Sequence, residues 1–189
     1  MTLSGKTIAI LIAPRGTEEP EFTKPKAAVE AAGGTVTVIS LEAGEAETVN
    51  NDLDPGGRYP VDKAIGAVSA DAFDGLVIPG GSVGADKLRG SDAVVAFVKG
   101  FFAAGKPVAA ICHAPWVLVE ADAVKGRTLT SFPTVATDIR NAGGSWTDAE
   151  VVVDQGLVTS RTPDDLPAFC AKLVEEFAEG RHAGQTASA

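Results

Sequence analysis

Cysteine and histidine are scarce in this 189-residue chain, which carries two of each. Two cysteines cannot build a disulfide framework, and so few thiols and imidazoles leave few candidates for catalysis. Positive charge is also short. The 16 Lys and Arg stand against 25 Asp and Glu, a formal net charge of −9, which argues against a nucleic-acid partner or an anionic membrane surface. No apolar run reaches the ~18 residues of a membrane span. Nothing resembles a secretory n-region followed by an h-region. A cytoplasmic protein with reduced thiols is expected.

What is present reads as a globular chain. Hydrophobic residues make up 45% and charged residues 22%, proportions that bury a real core in one domain. Short β-branched runs alternate with longer amphipathic stretches. Strands are expected at Thr7 to Ala13, Val36 to Ser40, Leu76 to Ile78 and Val108 to Ile111. Others are expected at Arg127 to Thr130, Glu150 to Val153 and Leu157 to Ser160. Helices are expected from Glu21 to Ala32, stopped by Gly33-Gly34, from Ser91 as N-cap to Ala104, and from Pro115 to Ala121. A last helix starts at Thr162-Pro163 and places Leu166, Phe169, Cys170, Leu173, Val174 and Phe177 on one apolar face. Cys170 reads there as a small buried core residue. The polar stretch from Ala43 to Pro60 reads as an edge excursion or β-hairpin. Residues 1–180 form the expected domain, and 181–189, with His182, an expected disordered tail.

Alternating strands and helices imply a mostly parallel sheet with helices on both faces. Chemistry in such sheets sits at the carboxyl ends of the strands. That singles out the loops after Ala13, Ile78 and Ile111. Cys112-His113 follows the third of these and enters a new helix, the setting of a nucleophile elbow. The helix N-terminus is expected to favour thiolate, with His113 as base or imidazolium partner. The alternative is a buried thiol beside an ordinary histidine.

The first loop holds Glu18, Glu19 and Glu21. Glu18 and Glu19 read equally well as a solvated helix start. Glu21 begins the helix beside the strand end where Cys112 emerges. Buried there, its carboxyl would have a raised pKa and could donate a hydrogen bond to sulfur. Gly80-Gly81 suits oxyanion donors, or a tight turn alone.

Two other motifs fail. Gly100 to Lys106 matches Gly-x4-Gly-Lys, but Pro107 stands where Ser or Thr must follow. Asn51 to Gly56 lacks the remaining calcium ligands. No metal and no cofactor are expected.

Together these residues resemble the ThiJ/PfpI family of the class I glutamine amidotransferase-like superfamily. The resemblance is carried by Glu18-Glu19-Pro20-Glu21, by Leu76 to Gly81 and by Ala110 to Trp116. Gly126 to Ser131 and Leu157 to Arg161 extend it over roughly residues 5 to 178. It implies a flavodoxin-like α/β sandwich, Cys112 as nucleophile, His113 as its partner and Glu21 as the carboxyl on the thiol. Oxyanion donors would lie at Gly81 and His113. It further implies a Cys-His-acid triad completed across a homodimer or larger homo-oligomer, for which Asp86 is the best match. The family's usual Gly after Cys-His is Ala114 here. The distant His-x-Glu pair of glutamine hydrolysis is absent from the chain.

The resemblance leaves three functions. The first is a stress-protective thiol enzyme acting on small reactive carbonyls or their early protein adducts, of glyoxalase or deglycase type. The second is an intracellular cysteine peptidase. The third is a redox sensor or stress protein in which Cys112 oxidises. A single activated thiol favours small carbonyls over protein substrates.

Overall fold

A computed structural model of the chain describes residues 1–186. The elements run β1 (Thr7–Leu11), β2 (Arg15–Glu18), α1 (Glu19–Ala31), β3 (Thr35–Ser40), β4 (Gly44–Asn50), β5 (Asp54–Val61) and β6 (Lys63–Ala64). They continue with β7 (Gly75–Ile78), α2 (Ser82–Arg89), α3 (Asp92–Ala103), β8 (Val108–Ile111) and α4 (Pro115–Glu120). Next come β9 (Thr128–Leu129), α5 (Ala136–Asn141), β10 (Ser145–Trp146), β11 (Val151–Asp154), β12 (Leu157–Ser160), α6 (Leu166–Glu179) and α7 (Ala183–Thr186).

The main sheet has seven strands in the order β11-β12-β8-β7-β1-β3-β6. All its pairings are parallel except that of β11 with β12. The chain moves outward from β1 to β3 and then returns to place β7 on the other side of β1. This reversal makes the carboxyl ends of β1, β7 and β8 neighbours, which is where open α/β sheets bind ligands.

Both faces of the sheet are covered, so its central strands are apolar without alternation. Residues one apart enter opposite cores. Ala9, Leu11, Leu76 and Ile78 face one core with Val94, Val98, Phe101 and Phe102 of α3. Ile8, Ile10, Val77 and Ile111 face the other, with Phe22 and Val29 of α1 and Phe169, Leu173 and Phe177 of α6. Ser91 caps α3 as expected, its hydroxyl accepting from the Val94 amide. Cys170 is only partly buried, packed at the margin of the second core.

Three local expectations change. Pro14 to Glu18, expected as a plain loop, contains β2, which pairs in parallel with β4. The Ala43 to Pro60 hairpin forms as expected, as β4 and β5, and joins β2 in a three-stranded sheet. Thr162 makes no side-chain cap; Asp165 instead accepts from the Arg161 amide and guanidinium. Finally, the expected loose tail is packed as far as Gln185. Gln185 is fully buried and donates to the Lys106 carbonyl, its own carbonyl accepts from Arg127, and His182 pairs with Glu176 at 3.4 Å. Residues 187–189 lie outside the described residues. Small polar residues rarely build a core, yet Gln185 is buried against the buried Arg127.

Candidate active site

Cys112 begins as the last partner of a β-ladder and then breaks from it. Its amide donates to the Ser160 carbonyl at 3.1 Å. Its φ is then +63°, in the left-handed region. Such a conformation in a non-glycine residue costs about 1–3 kcal/mol and persists where the surroundings over-determine it. The turn points the side chain away from β8 and starts α4, as a nucleophile elbow requires. Ala114 has φ −54° and ψ −31°, ordinary right-handed values, so glycine is unnecessary at that position. The strain sits at the cysteine.

Glu21, Gly80 and Gly81 close around the sulfur. Glu21 is fully buried, and its Oε2 accepts from the Gly80 amide at 2.8 Å. Its Oε1 bonds no nitrogen or oxygen among the described residues, and the carboxyl lies against the Cys112 thiol. Burial raises this carboxyl from its ordinary 4.5 to about 8, opposed by the Gly80 amide. A carboxyl raised this far favours its protonated form near neutral pH. At Gly80, a Cβ would stand 2.7 Å from both Cys112 Cβ and Glu21 Oε2. At Gly81, φ is +92° and a Cβ would meet the Gly16 carbonyl at 2.2 Å. These glycines let three chain segments meet. Gly80 is corrected in one respect: its amide is committed to Glu21 and is not a free oxyanion donor. The Gly81 and His113 amides turn to the sulfur instead.

The expected thiolate preference is also corrected. Burial, and then Glu21, push the Cys112 thiol upward against the two backbone amides. The helix that was to favour thiolate has only six residues, and the residue is 7% exposed. His113 is shifted downward by burial, partly offset by Asp52. Burial thus disfavours the charged form of both the thiol and the imidazole.

His113 is held on every side. Its Nδ1 lies 3.1 Å from Cys112 Sγ. Its ring stacks on Phe132 with centroids 4.7 Å apart and meets Trp116 at 5.1 Å. Its Nε2 reaches Ser82 Oγ at 3.3 Å and Thr134 Oγ1 at 3.4 Å. Ser82 Oγ donates in turn to Asp52 Oδ2 at 3.0 Å, and the Ser82 amide donates to Asp52 Oδ1 at 2.7 Å. Sequence reasoning missed Ser82 and Asp52. As sequence, Asn51-Asp52 reads only as a failed calcium loop, although both residues tolerate a left-handed turn.

Glu18 explains how Asp52 arrives there. Its buried carboxylate accepts from the Asn51 and Asp52 amides at 2.9 and 3.1 Å. Asn51 and Asp52 form the β4–β5 turn with φ of 53° and 63°. Glu18 thus clamps the turn, and Glu19 takes Tyr59, Asn50 and Gly57 on the same hairpin. Neither is a solvated helix start.

Asp86 stands apart from this group. It is exposed on α2 and paired with Arg89 at 3.0 Å, whose guanidinium lies 5.0 Å from the Trp116 ring centre. With Ser82, Val83, Lys87 and Trp116 it lines an open cavity of about 380 Å³, and of these Ser82 and Trp116 also touch His113. No helix among the described residues is long and apolar enough to cross a membrane.

The family model described as the DJ-1/PfpI family matches residues 6–176 of the chain. "Putative cysteine protease YraA" of Bacillus subtilis (strain 168) is 46% identical over 164 residues, covering 87% of this chain and 94% of that protein. Protein/nucleic acid deglycase 2 of Escherichia coli (strain K12) is 45% identical over 165 residues, covering 87% and 93%. Among solved structures, Drosophila melanogaster DJ-1beta matches with a TM-score of 0.83 and 33% identity, over 94% of this chain and 91% of that one.

Proposed function

Because this chain belongs to the DJ-1/PfpI family, we propose that it is a stress-protective enzyme in which Cys112 attacks reactive carbonyls or their early protein adducts. One observation carries the reading: a cysteine strained at φ +63°, with Sγ 3.1 Å from His113 Nδ1. Nucleophile and base within hydrogen-bond reach are the signature of activated covalent catalysis.

The chemistry follows from neutral partners. As Sγ bonds to an aldehyde carbon, its proton passes to His113 Nδ1 and the C=O π pair moves to oxygen. That oxygen recovers the proton from the imidazolium, leaving a hemithioacetal. The Gly81 and His113 amides are placed to stabilise charge beside the sulfur. Protonated Glu21 donates to sulfur, so the thiol leaves more easily in the reverse step. An open cavity of about 380 Å³, bounded by Ser82 and Trp116, which touch His113, leaves room for a small carbonyl compound. The glyoxalase or deglycase reading gains support from the name of the Escherichia coli relative. The name of the Bacillus subtilis relative keeps a cysteine peptidase as the competing outcome.

The experiment compares wild type with Cys112→Ser on methylglyoxal and on an unfolded protein. Loss of methylglyoxal with wild type alone is expected. Cleavage of the protein without carbonyl turnover would replace this reading by peptidase activity, and full activity of the serine variant would end both. Asp86 is the proposed acid for a second copy, because in its own chain it pairs only with Arg89 among the groups of this site. Sizing at micromolar concentration should show a dimer or larger, and a monomer would remove that role.

A further inference from the structure

We infer that Asp52 and Ser82, in the same chain as Cys112, act as positioning residues that fix the tautomer of His113 so that Nδ1 is the base for the thiol. The inference rests on the proposed thiol chemistry and adds to it a relay that needs no second subunit.

The argument is a count of donors and acceptors. An ionised carboxylate only accepts, a hydroxyl donates once and accepts, and a neutral imidazole donates at one nitrogen only. Asp52 Oδ1 accepts from the Ser82 amide and Oδ2 lies 3.0 Å from Ser82 Oγ. The single Ser82 hydroxyl proton is therefore directed to Asp52. What Ser82 Oγ offers His113 Nε2, at 3.3 Å, is a lone pair. Nε2 must then carry the imidazole proton, and Nδ1 presents its lone pair to Cys112 Sγ at 3.1 Å. The Thr134 hydroxyl, at 3.4 Å, can accept from the same N–H and does not oppose it. When Nδ1 takes the thiol proton, Nε2–H and the Asp52 charge behind Ser82 stabilise the imidazolium.

The geometry around the pair is costly. Asp52 adopts φ +63°, and a buried carboxylate, Glu18, is committed to holding its amide and that of Asn51. A turn that merely joined β4 to β5 would not need an acid delivered onto the first residue of α2.

Asp52→Asn separates a positioning role from a structural one. Asparagine tolerates the left-handed turn, and its amide oxygen still accepts from the Ser82 amide. Its NH₂ then donates to Ser82 Oγ, which turns the hydroxyl proton toward His113 Nε2 and drives the imidazole proton to Nδ1. The wrong nitrogen faces the thiol. Nitrogen-15 NMR reads this directly, because only His113 and His182 contribute imidazole signals. Wild type should show His113 protonated on Nε2, and Asp52→Asn should show it on Nδ1. On methylglyoxal, kcat should fall about 10²-fold, the scale of a lost general base, with KM changed far less. Ser82→Ala should also lower kcat, and Ser82→Thr should restore most of it. An Nδ1-protonated His113 in wild type overturns the inference. So does an unshifted tautomer with unchanged kcat in Asp52→Asn. Either result leaves Cys112 as the nucleophile so long as Cys112→Ser is inactive, although the first removes His113 Nδ1 as the proton acceptor.

Discussion

Cys112 and Asp52 share the same backbone signature, φ +63°, yet the chain holds them there by different means. Cys112 is fixed by local structure. The β8–β12 ladder runs up to its amide, and α4 begins three residues later. Asp52 sits on a hairpin turn with no sheet beyond it, and a carboxylate 34 positions away holds its amide. The first strain is written into a strand-to-helix junction. The second depends on a tertiary contact, so it gives way first when that contact is removed.

The largest expected effect falls on the elbow itself. Cys112→Ser removes the nucleophile and should lower any carbonyl turnover by about 10³-fold or more, measured as substrate loss under saturating methylglyoxal. Stability should change little, because serine fits the same volume. Residual turnover near the wild-type rate would show that the strained turn is structural only.

Gly81 is where both regions touch, since β2 and the loop after β7 meet at its Cα. Gly81→Ala must accommodate a Cβ 2.2 Å from the Gly16 carbonyl at φ +92°. Left-handed strain and overpacking together cost on the order of 3 kcal/mol. For a chain of this size that is a fall in Tm of roughly 6–12 °C. A variant melting within a degree of wild type would mean that the contact relaxes freely, and that the two regions are less tightly joined than they look.

How much of this could be read in the sequence follows the same division. Cys112, Glu21 and Gly80-Gly81 lie on three loops that the parallel-sheet rule brings together, and local composition marks each one. Glu18 was legible as a charged residue but not as a clamp, because its partners lie on the β4–β5 hairpin. Ser82 and Asp52 were invisible for the same reason: a hydroxyl and a turn aspartate carry no chemistry until packing delivers them to Nε2. The upward push on the thiol is not legible locally, because its largest cause is burial by distant segments. The packed segment up to Gln185 was missed since its stabilising contacts, to Arg127 and Lys106, are long-range.

Glu18→Ala tests the weaker region. It leaves the Asn51 and Asp52 amides without their acceptor, at about 1–3 kcal/mol for a buried donor left unmade. Hydrogen exchange at these two amides should accelerate, while the Cys112 amide, bound to Ser160, should not change. Equal acceleration at both places would show one cooperative unit and dissolve the contrast.

The finest test is on pH. Glu21, raised by burial to about 8, keeps its proton in the folded state through a window where the unfolded chain has lost it. The native state then binds more protons than the unfolded state between about 4.5 and 8, so this group's contribution to stability falls as pH rises through that window. Measured against Glu21→Gln, which cannot ionise, wild type should lose relative Tm steadily from pH 5 to pH 8. The thiol should report the same event. On the proposed role of Glu21, its carboxyl donates to sulfur below about pH 8 and its carboxylate repels the thiolate above it, so alkylation by iodoacetamide should rise with pH and then bend. Glu21→Gln should remove the bend. Glu18→Gln should keep it, because Glu18 faces the Asn51-Asp52 turn rather than the sulfur. If both variants straighten the curve equally, the carboxyl against the thiol has been assigned to the wrong residue, and the elbow and the hairpin share one titration instead of two.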